Sequence, residues 1–162
     1  CYENVLLLNH AYPNVHNNLG NIFLELNELN SAIDHFEWAV AYQSDFSKAH
    51  NNLGNALLTI GRFEDAVKSY EKVLSLDSNA LEAHNNLGIA FHKLGQLDNA
   101  VKFYKKALEL NSSYALAHNN LGNVYKDLGH LDESTKCYKK AILIKPDYKD
   151  AITNLESMKV SK

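Results

Sequence analysis

The sequence His-Asn-Asn-Leu-Gly (HNNLG) occurs four times in this chain, at residues 16–20, 50–54, 84–88 and 118–122. Each copy begins 34 residues after the previous one. A fixed period of this length is typical of helical-repeat proteins, in which one unit is too small to bury its apolar side chains and must stack on its neighbours. The sequence therefore predicts a stack of equivalent units.

A second repeated position marks the middle of each unit. Gly61, Gly95 and Gly129 each follow the glycine of an HNNLG copy by seven residues, and Asn27 holds the equivalent position in the first unit. Gly and Asn adopt left-handed backbone angles most readily, so this position predicts the end of a helix. Apolar residues recur every three or four positions on both sides of it, and no segment alternates as a strand would. Each unit is predicted to be two helices joined by a short turn.

The repeat resembles the tetratricopeptide repeat (TPR) family over almost the whole chain. The family's Leu-Gly pair closes each HNNLG copy. Its small residue in the second helix and the aromatic residue four positions later are Ala32 and Phe36, Ala66 and Tyr70, Ala100 and Tyr104, and Ser134 and Tyr138. The family's proline near the repeat end is kept only at Pro146, with Ser44, Ser78 and Ser112 at the equivalent positions. The resemblance implies an all-α, right-handed superhelical solenoid of antiparallel helix pairs.

The same resemblance sets the expected boundaries within a single domain of residues 1–162. Full repeats are expected at 13–46, 47–80, 81–114 and 115–148, a preceding repeat ends within 1–12, and a capping helix covers 149–162. Tyr2, Val5 and Leu6 fit the end of a preceding second helix, and the only methionine is Met158, so we expect a piece of a longer protein. In the last helix polar residues replace those that would pack on a further repeat, so the array is expected to end there. These are Glu156, Lys159 and Lys162.

Composition excludes several classes of protein. With 46% hydrophobic residues and a formal net charge of −3, the chain has an ordinary soluble composition and lacks the basic surface that non-specific nucleic-acid binding needs. No run approaches the roughly 18 apolar residues of a membrane span. Neither phosphate-binding glycine loops nor a catalytic triad pattern is present, so we expect no enzymatic activity and no cofactor.

The histidines and cysteines are not expected to form metal or disulfide sites. His16, His50, His84 and His118 occur once per repeat, too far apart to share an ion, so no metal is predicted. Cys1 and Cys137 are four periods apart and cannot reach each other in a stack. Two free thiols suit a reducing compartment, so a cytoplasmic or nuclear location is predicted.

The asparagines are the candidate binding residues. An amide side chain offers two donors and an acceptor, so it can pair with the N–H and the C=O of an extended peptide. The TPR resemblance implies that the first helices line a concave groove, in which the asparagines form a ladder. This ladder resembles the one in the TPR region of O-linked N-acetylglucosamine transferases, and the resemblance implies that a peptide backbone binds there. The predicted peptide-binding residues are Asn17, Asn18, Asn21, Asn51, Asn52, Asn55, Asn85, Asn86, Asn119, Asn120, Asn123 and Asn154.

The asparagines have two other interpretations. The asparagines could serve the stack itself, by orienting helix ends or facing water without a ligand. A clamp for an acidic peptide C-terminus would need basic residues at the first asparagine of each HNNLG copy, and the only arginine, Arg62, lies near a turn. The clamp is therefore disfavoured.

Trp38 departs from its repeat position, which is otherwise lysine: Lys72, Lys106 and Lys140. A tryptophan on the second helix predicts an apolar contact on the convex face, for a partner or a second copy. The alternative is that it packs against a neighbouring repeat.

Together these features predict a protein–protein interaction module that binds an extended peptide in an asparagine-lined groove. Two alternatives stay open: a non-catalytic, substrate-selecting arm of a larger enzyme such as a glycosyltransferase, or a self-assembling scaffold, and thus a homo-oligomer.

Overall fold

The computed structural model describes residues 12–160, apart from the side chains of residues 159 and 160. Within this part of the chain there are nine α-helices and no strand. In chain order they are α1 (Pro13–Glu25), α2 (Leu29–Tyr42), α3 (Ser47–Thr59), α4 (Phe63–Leu76), α5 (Leu81–Lys93), α6 (Leu97–Leu110), α7 (Ala115–Asp127), α8 (Leu131–Ile144) and α9 (Lys149–Val160). The predicted all-α class of paired helices is confirmed.

Each odd-numbered helix begins at a predicted repeat start, and the predicted helix-ending residue has left-handed backbone angles in every repeat. Its φ angle is 60° at Asn27, 83° at Gly61, 72° at Gly95 and 77° at Gly129. This angle turns the chain so that the next N–H reaches the carbonyl five residues earlier, as from Arg62 N to Leu57 O at 2.9 Å. The turn therefore closes the first helix of each pair and starts the second.

The two helices of a pair cross where glycine meets an aromatic ring. Tyr70 is completely buried, and a Cβ atom added to Gly54 would lie 2.6 Å from Cε1 of its ring. Gly122 faces Tyr138 in the same way. Ser134, which replaces the usual alanine at the crossing, is buried and donates to the carbonyl of Gly122 at 2.8 Å. The repeated glycine is thus required because the ring occupies the space of a side chain.

The helices group into two compact units, Cys1–Ala83 and His84–Lys162. In the first unit α1, α2, α3 and α4 pack each against the next, and α1 also contacts α3. In the second unit, α6, α7, α8 and α9 also pack each against the next, and α7 contacts α9. First helices of neighbouring repeats therefore touch inside each unit, which places their asparagines side by side.

Some expectations concern residues outside the described part of the chain. These are Cys1, Tyr2, Val5, Leu6, Lys162 and the side chain of Lys159. Of the residues proposed to cap the array, Glu156 is described, and it is exposed.

Candidate peptide-binding surface

The first asparagine of the HNNLG copies points into the stack. Asn17, Asn85 and Asn119 are only 2%, 1% and 4% exposed, and Asn51 is half-buried. A buried amide must find hydrogen-bond partners inside the protein, because leaving it unpaired costs about 1–3 kcal/mol. For Asn17, Asn85 and Asn119 a partner comes from the next repeat.

The second asparagine reaches back to the first asparagine of the preceding repeat. In the first unit, Asn52 Nδ2 donates to Asn17 Oδ1 at 2.9 Å. In the second unit, Asn120 Nδ2 donates to Asn85 Oδ1 at 3.3 Å, and Asn154 Nδ2 donates to Asn119 Oδ1 at 3.0 Å. The repeated Asn-Asn pair therefore joins consecutive repeats through side-chain amides.

A third asparagine, one helical turn later, completes the network. Asn52 Nδ2 also donates to Asn21 Oδ1 at 3.2 Å, and Asn154 Nδ2 also donates to Asn123 Oδ1 at 3.1 Å. The hydroxyls of the buried tyrosines donate to the same kind of oxygen. These bonds run from Tyr70 to Asn55 at 2.7 Å and from Tyr138 to Asn123 at 2.8 Å. The network thus links the helix crossing to the junction between repeats.

The third repeat departs from this pattern because Ile89 replaces the third asparagine. The hydroxyl of Tyr104 consequently makes no hydrogen bond to a described residue, and burial raises the pKa of this phenol. Asn120 uses only one of its two N–H groups within the described chain. This amide keeps both a donor and an acceptor for a ligand.

The amide atoms left over define what the surface can bind. Asn52 and Asn154 use both N–H groups, while neither Oδ1 accepts a hydrogen bond from a described residue. Asn18 is half-buried, and its amide bonds to no described residue. In the third repeat Asn86 Oδ1 accepts from Asn85 at 3.2 Å. Asn52 and Asn154 therefore offer an acceptor to a ligand, whereas Asn18 offers donors as well.

Each unit has a cavity beside these amides, at equivalent repeat positions. The first-unit cavity, of about 440 Å³, is lined by Ser47, Lys48, Asn51, Val73, Ala80, Glu82 and Ala83. The second-unit cavity, of about 380 Å³, is lined by Leu116, Asn119, Asn120, Asn123, Tyr148, Asp150, Thr153 and Asn154. The wall of the first has Lys48 and Glu82 among apolar residues, whereas the wall of the second is mainly polar, with Asp150 and Thr153 beside the asparagines. The two cavities thus suit different side chains.

Two of the repeated histidines contact the preceding repeat. His50 Nε2 lies 3.1 Å from the carbonyl of Ser44, and His118 Nε2 lies 3.1 Å from that of Ser112. Burial lowers the pKa of both imidazoles, the hydrogen bond opposes this, and nearby Lys72 or Lys140 lowers it further. Among the described residues no three His, Cys, Asp or Glu side chains come close enough to hold a metal ion.

One contact in this region was missed by the sequence analysis. His92 Nε2 on α5 and Asp127 Oδ2 on α7 lie 2.6 Å apart. The spacing of 35 residues, the same as in the Asn52–Asn17 bond, was the available signal. This contact occupies one carboxylate oxygen of Asp127 that would otherwise be open to a ligand.

Trp38 both packs on its own repeat and stays accessible. Its ring stacks on His16 and Tyr42, with centroid distances of 5.7 and 5.6 Å, yet 51% of the residue is exposed. His16 Nδ1 lies 3.0 Å from His35 Nδ1 behind it. A supported, half-exposed tryptophan is a rigid contact surface that the stack does not cover.

Sequence comparison identifies tetratricopeptide repeats along most of the chain. The family described as TPR repeat matches residues 20–61, 54–95 and 90–129, and the family described as Tetratricopeptide repeat matches residues 115–148. No functionally curated protein is similar to this sequence. Every helix in the described part of the chain is too short or too polar to cross a membrane.

Solved structures of the protein MamA have a similar fold. One superposes with a TM-score of 0.85 at 23% identity, covering 90% of this chain and 85% of MamA. Another is the structure of Desulfovibrio magneticus RS-1 MamA from residue 41 to the end. It superposes with a TM-score of 0.80 at 19% identity, covering 85% of this chain and 78% of that one. At these identities the likeness concerns the fold alone.

Proposed function

The chain belongs to the tetratricopeptide repeat family, a family of protein–protein interaction modules, and we propose that it binds an extended segment of a partner protein. The binding site of each unit is its amide surface, formed by the second asparagines: Asn18 and Asn52 in the first unit, and Asn86, Asn120 and Asn154 in the second. Tetratricopeptide repeats are generally non-catalytic, and the proposal assigns no reaction to this chain.

The proposal rests on the side-chain oxygens of Asn52 and Asn154, neither of which accepts a hydrogen bond from a described residue. The inward bonds of Asn52 and Asn154 fix both N–H groups and leave Oδ1 for a peptide N–H. Such preorganised acceptors lose little side-chain entropy when a ligand binds. The buried first asparagines, predicted as direct contacts, act here as supports that orient the second ones.

Repeat spacing suits an extended ligand. Packed helices lie about 8–10 Å apart, and an extended chain advances about 3.3 Å per residue. One repeat therefore corresponds to about three ligand residues, so every third backbone N–H would meet an amide oxygen. Asn120, which keeps a donor as well, can pair with both the N–H and the C=O of one residue.

The two cavities would add side-chain preference to this backbone grip. The second-unit cavity, lined mainly by asparagines, Asp150 and Thr153, favours a polar ligand side chain. The first-unit cavity, with Val73, Ala80 and Ala83 in its wall, favours an apolar one. We therefore expect broad sequence tolerance, with a polar residue preferred in a ligand that binds to the second unit.

The experiment begins with a peptide array, from which the best ligand is taken for fluorescence anisotropy. We expect the double variant Asn52→Ala/Asn120→Ala to raise the dissociation constant at least tenfold. Two lost hydrogen bonds at about 1 kcal/mol each exceed the 1.4 kcal/mol that a factor of ten requires. Methylating the ligand backbone nitrogens one at a time should weaken binding at every third residue and leave the intervening positions little changed.

Three controls separate binding from folding. Asn30→Ala removes an exposed asparagine on α2, outside the amide surface, and should bind like wild type. Asn18→Ala removes a surface amide without breaking a bond to a described residue, so its melting temperature should not change. Binding is compared at temperatures at which circular dichroism shows every variant folded. Unchanged affinity in the folded double variant would contradict the proposal.

A further inference from the structure

The exposed face of α2 is acidic and aromatic, and this sets it apart from the other second helices. Asp34, Glu37, Trp38 and Ala41 are all exposed and line a shallow cavity of about 360 Å³. No lysine or arginine occurs in α2. Glu37 has only a long contact with Arg62, at 3.9 Å, because Arg62 is bound to Asp65 at 2.7 Å. The two carboxylates on this face are therefore available to a cationic partner.

The exposed face of α8 carries the opposite charge at the same repeat positions. Lys136, Lys139, Lys140 and Leu143 stand where α2 has Asp34, Glu37, Trp38 and Ala41. All four are exposed, Leu143 to 74%. None of the three lysines forms an ion pair with a described residue, although Asp132 and Glu133 lie in the first turn of the same helix. The α8 face thus offers three cations and an apolar side chain.

We propose that the α2 face of one copy of this chain binds the α8 face of a second copy. The two carboxylates meet the lysines, and Trp38 receives a lysine ammonium group or the side chain of Leu143. Among the aromatic side chains, tryptophan makes the strongest cation–π contacts. Because the faces are complementary by charge but not identical, a second copy is the occupant that the chain itself provides.

Contact between two different faces has a consequence for assembly. After pairing, one copy keeps a free α8 face and the other keeps a free α2 face, so association continues head to tail instead of stopping at a symmetric dimer. The contact area is one helix face on each side, which places the interface at the small, weak end of specific contacts. Its exposed charges make it sensitive to salt. The amide surface contributes no residue to it, so this proposal and the peptide-binding proposal can fail separately.

The test uses sedimentation velocity over a range of loading concentrations. Wild type should show a sedimentation coefficient that rises with concentration. It should rise less in about 1 M salt than in about 0.1 M, because the screening length falls from about 10 Å to about 3 Å. Asp34→Asn/Glu37→Gln and Lys136→Gln/Lys139→Gln neutralise one face each, and each should remain monomeric alone. Trp38→Lys should weaken association at least tenfold.

Mixing the two neutralised variants is the decisive step. Each retains one intact face, so an equimolar mixture should form a complex of two chains and grow no further. The matched control, Lys102→Gln/Lys105→Gln, makes the same change on α6 and should associate like wild type. Circular dichroism melts check that each variant is folded. A wild type that stays monomeric, a mixture that does not pair, or a control that loses association equally would each overturn the proposal.

Discussion

At the scale of single residues, the three repeated asparagines differ in what their amide atoms do. Asn17 accepts from the next repeat, Asn52 donates backwards twice, and Asn55 accepts from a buried tyrosine. Asparagine is a poor helix former, but only an amide combines donors and an acceptor on so short a side chain. The repeated asparagines of the HNNLG motif are thus explained by hydrogen bonds between repeats, and ligand binding would use the amide atoms that remain.

Replacing Asn52 tests these bonds. Asn52→Ala loses two hydrogen bonds and leaves the buried Asn17 oxygen unpaired, so we expect the free energy of unfolding to fall by about 1–3 kcal/mol. Asn52→Asp should lower the free energy of unfolding further, because a carboxylate cannot donate a hydrogen bond and would face two amide oxygens. Asn18→Ala is the matched control and should change stability by less than about 0.5 kcal/mol. Equal denaturant midpoints for the two alanine variants would show that the inter-repeat bonds contribute nothing.

The repeated histidines predict a loss of stability in acid. Burial, opposed by the serine carbonyls and reinforced by Lys72 and Lys140, lowers the pKa of His50 and His118 below the ordinary value of about 6.5. The unfolded chain then binds more protons than the folded one as the pH falls. The stability from this source is fully present above about pH 6.5 and is lost as the pH falls through the folded pKa.

The measurement compares melting temperatures at about pH 7.5 and about pH 5.5, on either side of the unfolded pKa. His50→Gln/His118→Gln should show a smaller decrease than wild type, because glutamine can still donate to the serine carbonyls but does not titrate. Lys72→Gln/Lys140→Gln should also reduce the decrease, by a smaller amount. An unchanged decrease in the histidine variant would assign the acid sensitivity to the carboxylates instead.

At the scale of helices, the crossing of each pair depends on one glycine and its turn on another. Gly54→Ala would place a methyl group 2.6 Å from the Tyr70 ring, so we expect a loss of about 1–3 kcal/mol from overpacking. Gly129→Asn is the matched change at the turn. It should be nearly neutral, because Asn27 already has a φ of 60° at that position and nothing crowds Gly129. Chemical unfolding of both variants tests the contrast, and similar losses would contradict it.

The helices could be predicted because their signals are local. Periodic apolar residues and left-handed Gly or Asn positions depend on the chain itself, and the observed helix starts coincide with the predicted repeat starts. The roles of the asparagines could not be predicted in the same way. Whether Asn17 faces a ligand or the next repeat depends on packing between helices 35 residues apart, which periodicity does not encode. The sequence identified the amides but not which of their atoms are used.

At the scale of the whole molecule, the difference between repeats matters more than their similarity. The charges at equivalent exposed positions of α2 and α8 are visible in the sequence, but their exposure and lack of ion pairs are structural facts. The replacement of lysine by Trp38 at its repeat position was predicted to matter from the sequence, whereas the accompanying acidic residues Asp34 and Glu37 were not. Different residues at equivalent exposed positions give each repeat a distinct surface without altering the fold.

The last helix offers a test of how stability is distributed along the molecule. Asn154 on α9 donates to Asn119 and Asn123, and Ala151 is completely buried. A chain ending at Tyr148 loses these contacts, so the buried amide of Asn119 loses its donor. Because repeat proteins are stabilised by contacts between nearest neighbours, we expect the loss to concentrate in α7 and α8.

Hydrogen exchange with mass spectrometry measures this directly. In the truncated chain, backbone amides of α7 and α8 should exchange at least tenfold faster, since two lost hydrogen bonds at about 1 kcal/mol each exceed 1.4 kcal/mol. Amides of α1 to α3 should keep their wild-type rates. Asn154→Ala should show a weaker form of the same pattern, and Thr153→Ala, an exposed neighbour, should show none. If truncation accelerated exchange equally in every helix, the array would unfold as one cooperative body, and the nearest-neighbour account would be wrong.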